Sequence, residues 1–161
     1  MGAKVLLLSF VVLFSCCVSK NEPRSGVVSR EEEILERILK SYYADMSARD
    51  WRKYRTYFWD QATITTAWQQ PADSAAGVHV ISIDEFIRRA PEGPDSQPVF
   101  SEKMTDASIE VRNNLATAWV DYDAEFGTSE SPMRWSGTDV FTFLRHEGDW
   151  KIVSLVFESK R

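Results

Sequence analysis

Apolar residues recur with helical spacing between positions 29 and 90 and then, from about residue 102 onward, at every second position. That change of period divides the chain into a helical first half and a sheet-forming second half. Ile34, Leu35, Ile38, Leu39, Tyr42, Tyr43 and Met46 form one apolar stripe opposed by Glu36, Arg37, Lys40 and Asp45, which predicts a helix buried along one side. Ser29 with Glu32 three residues later reads as a capping box, and Glu31 and Glu33 place negative charge where the helix dipole favours it. Asp50 can cap a second, shorter helix carrying Trp51, Tyr54 and Phe58 on one face and ended by Asp60-Gln61. The Thr-rich alternation of residues 62–68 predicts a strand, followed by a loop through Pro71, Asp73 and Gly77. Ser82 and Glu85 form a second capping box before Phe86, Ile87 and Ala90, and Pro91, Gly93 and Pro94 end that third helix.

Four alternating segments follow, over residues 103–112, 115–126, 133–146 and 150–158, with turn signals at Asn113-Asn114, near Gly127 and at Glu147-Gly148-Asp149. Such an order predicts an α+β domain in which about three helices cover one face of a strongly curved antiparallel sheet. Upstream, Lys4 precedes an apolar run over residues 5–14, long enough for a signal-peptide core and too short to span a bilayer. Leu13-Phe14-Ser15-Cys16 resembles a bacterial lipobox, so residues 1–15 are expected to be a signal peptide and Cys16 the site of lipid attachment. Residues 16–28 then read as a tether and residues 29–161 as the domain, placing the protein in the cell envelope on a lipid anchor. An ordinary secretory signal cut near Ser19 is the alternative.

Composition narrows the chemistry. The chain has 161 residues, 43% hydrophobic and 27% charged, which suits one globular domain. Its net charge of −5 argues against a nucleic-acid binder, which needs a basic surface. Cys16 and Cys17 are the only cysteines, so no disulfide framework or thiol nucleophile is expected in the domain. With only His79 and His146, a three-histidine metal site is excluded, and neither metal nor cofactor is expected.

Strand parity then sorts the candidate residues. In residues 115–126 the apolar set Ala118, Val120, Tyr122, Ala124 and Phe126 is expected inside, leaving Asp121, Asp123 and Glu125 on a solvated outer face with Trp119. An exposed tryptophan there suits a homodimer patch. Asp139 shares parity with Phe141 and Phe143, which places a carboxylate on an aromatic strand face. Desolvation there raises its pKa and makes it a candidate general base or ligand anchor, the alternative being a plain structural hydrogen bond. His79, between Val78 and Val80, is the candidate proton donor, with a packed or loop histidine as the alternative. Tyr43, Tyr54, Phe58, Trp68, Tyr122 and Trp135 are candidate pocket-lining aromatics, each of which could equally be core.

The helix–helix–strand–helix order, Ala118-Trp119-Val120, Gly137-x-Asp139-x-Phe141 and the closing Gly148-Asp149-Trp150-Lys151-Ile152-Val153 together resemble the nuclear transport factor 2-like superfamily, in particular its SnoaL-like bacterial branches. The resemblance covers residues 29–159. It implies a cone of bent antiparallel sheet plugged by three helices, a pocket at the wide end and dimerisation through the outer sheet face. It also implies a range of activities, from isomerases, dehydratases, epoxide hydrolases and polyketide cyclases to binders without turnover, among which fold alone does not discriminate. Three readings follow: an envelope-anchored binder of a small apolar or aromatic molecule; an isomerase-like enzyme with Asp139 as base and His79 or Tyr54 as acid; and an interaction subunit pairing through its sheet.

Overall fold

A computed structural model describes residues 29–67 and 77–160. Helix α1 spans Arg30–Ser47 and α2 Trp51–Arg55; strand β1 covers Phe58–Thr66, β2 His79–Ser82, and helix α3 Ile83–Arg88. Two short 3-10 turns lead into β3 (Val99–Arg112), β4 (Leu115–Gly127), β5 (Pro132–His146) and β6 (Asp149–Lys160). The strands form one six-stranded sheet in the order β2-β1-β6-β5-β4-β3, antiparallel throughout except where β1 runs parallel to β6. This is the expected α+β architecture.

Helix α1 begins as its sequence predicts. The Glu32 amide donates to Ser29 Oγ at 3.2 Å, and the Ser29 amide donates to the Glu32 carboxylate at 2.7 Å. Its buried side, Leu35, Leu39, Tyr42, Tyr43 and Met46, faces the inner surface of the sheet. Two polar ties fix the helix there. The Glu31 carboxylate accepts from Trp150 Nε1 (2.7 Å) and Arg145 (2.9 Å) at the β5–β6 end, while Ser47 Oγ bonds both backbone groups of Glu102 on β3.

Two boundaries differ from expectation, each for a local reason. Helix α2 stops at Arg55 and Phe58 already belongs to β1, because Asp60-Gln61 does not break the chain but lies inside the strand. Gln61 takes a positive φ of 63°, and the β1–β6 register shifts between Phe58 and Thr63, so the strand absorbs the polar pair as a bulge. Strand β3 starts at Val99, earlier than the alternation suggested, and Glu102 therefore lies within the sheet.

Residues facing the helices line up across the strands. One row holds Glu102, Ala124 and Trp135, the next Met104, Tyr122 and Gly137, the next Val120, Asp139 and Phe157, and the next Ala118, Phe141 and Leu155. Gly137 is required: a Cβ there would overlap the Tyr122 ring and crowd the Glu158 carbonyl, so its absence lets Tyr122 lie across β5. The inner set predicted for β4 is buried from Ala118 to Ala124, whereas Asp121 and Asp123 are exposed and Trp119 is 59% exposed.

Candidate functional site

Between the helices and the inner face lies a partly open cavity of about 50 Å³. Its polar groups are the carboxyls of Glu102 (β3) and Asp139 (β5) and the phenols of Tyr42, Tyr54 and Tyr122. Phe86 from α3 and Phe157 from β6 complete the aromatic wall, with Met46, Ile64 and Leu155 filling the remainder. A space of this size holds a few waters or one small head group.

Asp139 is 3% exposed and accepts a hydrogen bond from the Tyr43 phenol. Burial pushes its pKa up to about 7, with the Tyr43 bond opposing part of the rise. Glu102 is half-buried as a residue, but its carboxyl end lies in the cavity wall. Burial, followed by the negative charge of Asp139, pushes that carboxyl up to about 8. The two acids therefore titrate as an interacting pair around neutrality, far above ordinary carboxylates. Glu102 makes no side-chain hydrogen bond among the described residues; its bonds to Ser47 use the backbone.

A phenol network backs this pair. Tyr54 donates to the Tyr42 hydroxyl at 3.0 Å, and Tyr42 packs edge-on against both Tyr43 and Phe141. Burial raises the pKa of all three phenols well above the ordinary value, so they remain neutral donors. Tyr122 shares a 3.1 Å hydrogen bond with Ser159, and burial lifts its pKa to about 12. The buried indole nitrogen of Trp135 lies beside the Tyr122 phenol and favours its ionised form as a donor would, without reaching full hydrogen-bond geometry.

Asp139, Tyr54 and Tyr122 thus line the cavity as candidates drawn from sequence, and Tyr43 stands directly behind Asp139. Phe58 is core, and Trp135 packs against the core without bordering the cavity. His79 is not brought to Asp139. It opens edge strand β2 opposite Thr66, is exposed, and does not line the cavity, which removes its geometry for proton transfer. Trp68 and Cys16 lie outside the described residues. Among the described residues no group of three or more His, Cys, Asp or Glu could hold a metal ion.

Glu102, Tyr42, Phe86 and Phe157 are among the site residues that sequence reasoning missed. The signal for Glu102 was its parity with Phe100 and Met104, the same single acid in an apolar row that marks Asp139.

The curved six-stranded sheet with few helices is a nuclear transport factor 2-like, cystatin-like fold. The family described as "Putative lumazine-binding" matches residues 29–158, and the chain belongs to that family. A nuclear transport factor 2-like protein of unknown function from Shewanella baltica OS155 is 22% identical, with a TM-score of 0.62 over 84% of this chain and 99% of that one. Hexachlorocyclohexane dehydrochlorinase LinA-type3 from Novosphingobium barchaimii LL02 is 13% identical, with a TM-score of 0.65 over 81% of this chain and 87% of that one. The protein described as "Putative Scytalone Dehydratase" from Novosphingobium aromaticivorans DSM 12444 is 14% identical, with a TM-score of 0.63 over 81% and 85%. At such identities the likeness establishes the fold. No curated protein matches the sequence.

Proposed function

We propose that the domain binds a small aromatic or apolar molecule that inserts one polar edge into the Asp139–Glu102 cavity. The observation that carries this reading is the pair of acids set in an aromatic wall without a protein group to satisfy Glu102. A carboxyl that opens into a concave aromatic site without a protein partner is what a ligand completes. The family description supports a small flat heterocycle as ligand. Isothermal calorimetry of lumazine and related heteroaromatics tests it: Phe86→Ala, which removes one wall, should weaken binding about tenfold or more. A ligand that binds wild type and Phe86→Ala alike is not bound in this cavity.

A second reading, general acid–base catalysis, is favoured by one observation. A carboxyl with a pKa of about 7, hydrogen-bonded to a neutral phenol, is poised to take or give a proton at neutral pH. Two structural relatives are described as a dehydrochlorinase and a dehydratase, which supports eliminations as the first reactions to screen. Asp139→Asn should abolish any turnover found; retained turnover removes Asp139 from the mechanism.

The outer face supports self-association. Trp119, Val140, Val156 and Val78 border an apolar groove of about 420 Å³ there, and Trp119→Glu should convert a dimer to a monomer in sedimentation. A lipid anchor on Cys16 is the proposed address; fatty-acid labelling should be lost in Cys16→Ser.

A further inference from the structure

We infer that the group occupying the Asp139–Glu102 cavity is an organic cation, a protonated amine or ring nitrogen, rather than a neutral or anionic edge. The inference rests on the binding reading above. Among the described residues lining the cavity there are two carboxyls and no Lys, Arg or His. The groups facing the acids are neutral phenols: Tyr42 and Tyr43 from α1, Tyr54 from α2 and Tyr122 from β4. Basic side chains at the α1–α2 junction are engaged elsewhere. Arg49 donates to the backbone carbonyls of Pro94 and Gln97, and Lys53 pairs with Asp45 at 2.9 Å. The cavity therefore leaves the ionised form of its two acids with a demand for positive charge that no protein group in its wall meets.

Its remaining wall matches that demand. Tyr42, Tyr54, Phe86, Tyr122 and Phe157 present five rings around the two acids. Aromatic faces with nearby carboxylates recognise ammonium groups, because the ring quadrupole and the anion attract the same charge. Once the acids ionise, an anionic ligand would meet repulsion from both, and a neutral edge would supply them no counter-charge. The volume of about 50 Å³ admits an ammonium head group with its aromatic or apolar body outside.

Cation binding must favour the ionised acids, so it expels protons and tightens as pH rises through the range in which Asp139 and Glu102 titrate. Calorimetry on the full chain with benzylamine, benzyl alcohol and lumazine as probes, in two buffers of different ionisation heat, tests this. The expected result is that benzylamine binds at about pH 8, weakens roughly tenfold or more by about pH 6, and releases protons, while benzyl alcohol binds at least about tenfold more weakly. Glu102→Gln should reduce benzylamine affinity about tenfold and leave benzyl alcohol unchanged. Benzyl alcohol or lumazine binding as tightly as benzylamine, without proton release, overturns the cation and leaves the binding reading standing. Binding by none of the three probes overturns both. The wild-type proton count decides even where a variant fails to fold.

Discussion

Asp139 and Asp121 lie one register step apart on neighbouring strands, yet they belong to different chemistries. Val120 pairs with Asp139 and Asp121 with Thr138, so the two carboxylates point to opposite faces of the same sheet. Outside, Asp121 is exposed and accepts from Thr138 Oγ1 at 2.8 Å; Asp123 accepts from Ser136, and Glu125 pairs with Arg134. Water and short polar partners stabilise those charges at little cost. Inside, Asp139 has a single phenol as partner and shares its cavity with a second acid. The number of carboxylates on a strand therefore says little about a site. Which face they take, and what meets them there, decides it.

The largest effect that would test the difference between faces is steric. Gly137→Ala forces a methyl group into Tyr122 and the Glu158 carbonyl on the inner face, and should destabilise the domain by about 3 kcal/mol in urea unfolding. A loss below about 1 kcal/mol would mean that the inner rows can spread and that the cavity wall is deformable.

Removing charge should have unequal consequences on the two faces. The folded state holds a proton on Asp139 between about pH 4, where an unfolded aspartate ionises, and about pH 7. Stability therefore falls as pH rises through that window and remains lowered above it. Asp139→Asn keeps an acceptor for Tyr43 and removes the buried charge, so at about pH 8 it should stabilise the protein by on the order of 2–3 kcal/mol and flatten the pH dependence. Asp121→Asn on the outer face should stay within about 0.5 kcal/mol. Equal effects from the two substitutions would erase the distinction.

Tyr43→Phe makes the smallest inner change. Deleting the phenol leaves the Asp139 carboxyl without its donor, which should cost about 1–2 kcal/mol in thermal unfolding and move the Asp139 pKa above about 7. An unchanged pKa would show that the hydrogen bond contributes nothing to holding that group.

Much of this contrast was legible in the chain. Helix α1 has a complete capping box and an uninterrupted apolar stripe, so local and tertiary preferences agree. Asp139 stands between Gly137 and Phe141 in a strand whose alternation sends all three inward, and parity alone found it. Where the reading failed, long-range pairing overrode local signals. Asp60-Gln61 resembles a breaker, but pairing with β6 carries the strand through it on a bulge. Strand β2 has only four residues and merges into the α3 cap, too short for alternation to register; as an edge strand it holds His79 away from the cavity. Glu102 escaped because the polar run Ser101, Glu102 and Lys103 masks its parity with Phe100 and Met104; the β3–β4 register, which sets it opposite Ala124, shows that it faces the interior.

Asp139 and Glu102 form an acid pair in the cavity wall without a protein counter-charge among its lining residues. Carbon-13 NMR of the side-chain carboxyls, followed through a pH titration of the ligand-free protein, tests it most directly. Two interacting transitions are expected, near 7 for Asp139 and near 8 for Glu102. Midpoints for both inner acids in the ordinary carboxylate range, near about 4, would contradict it.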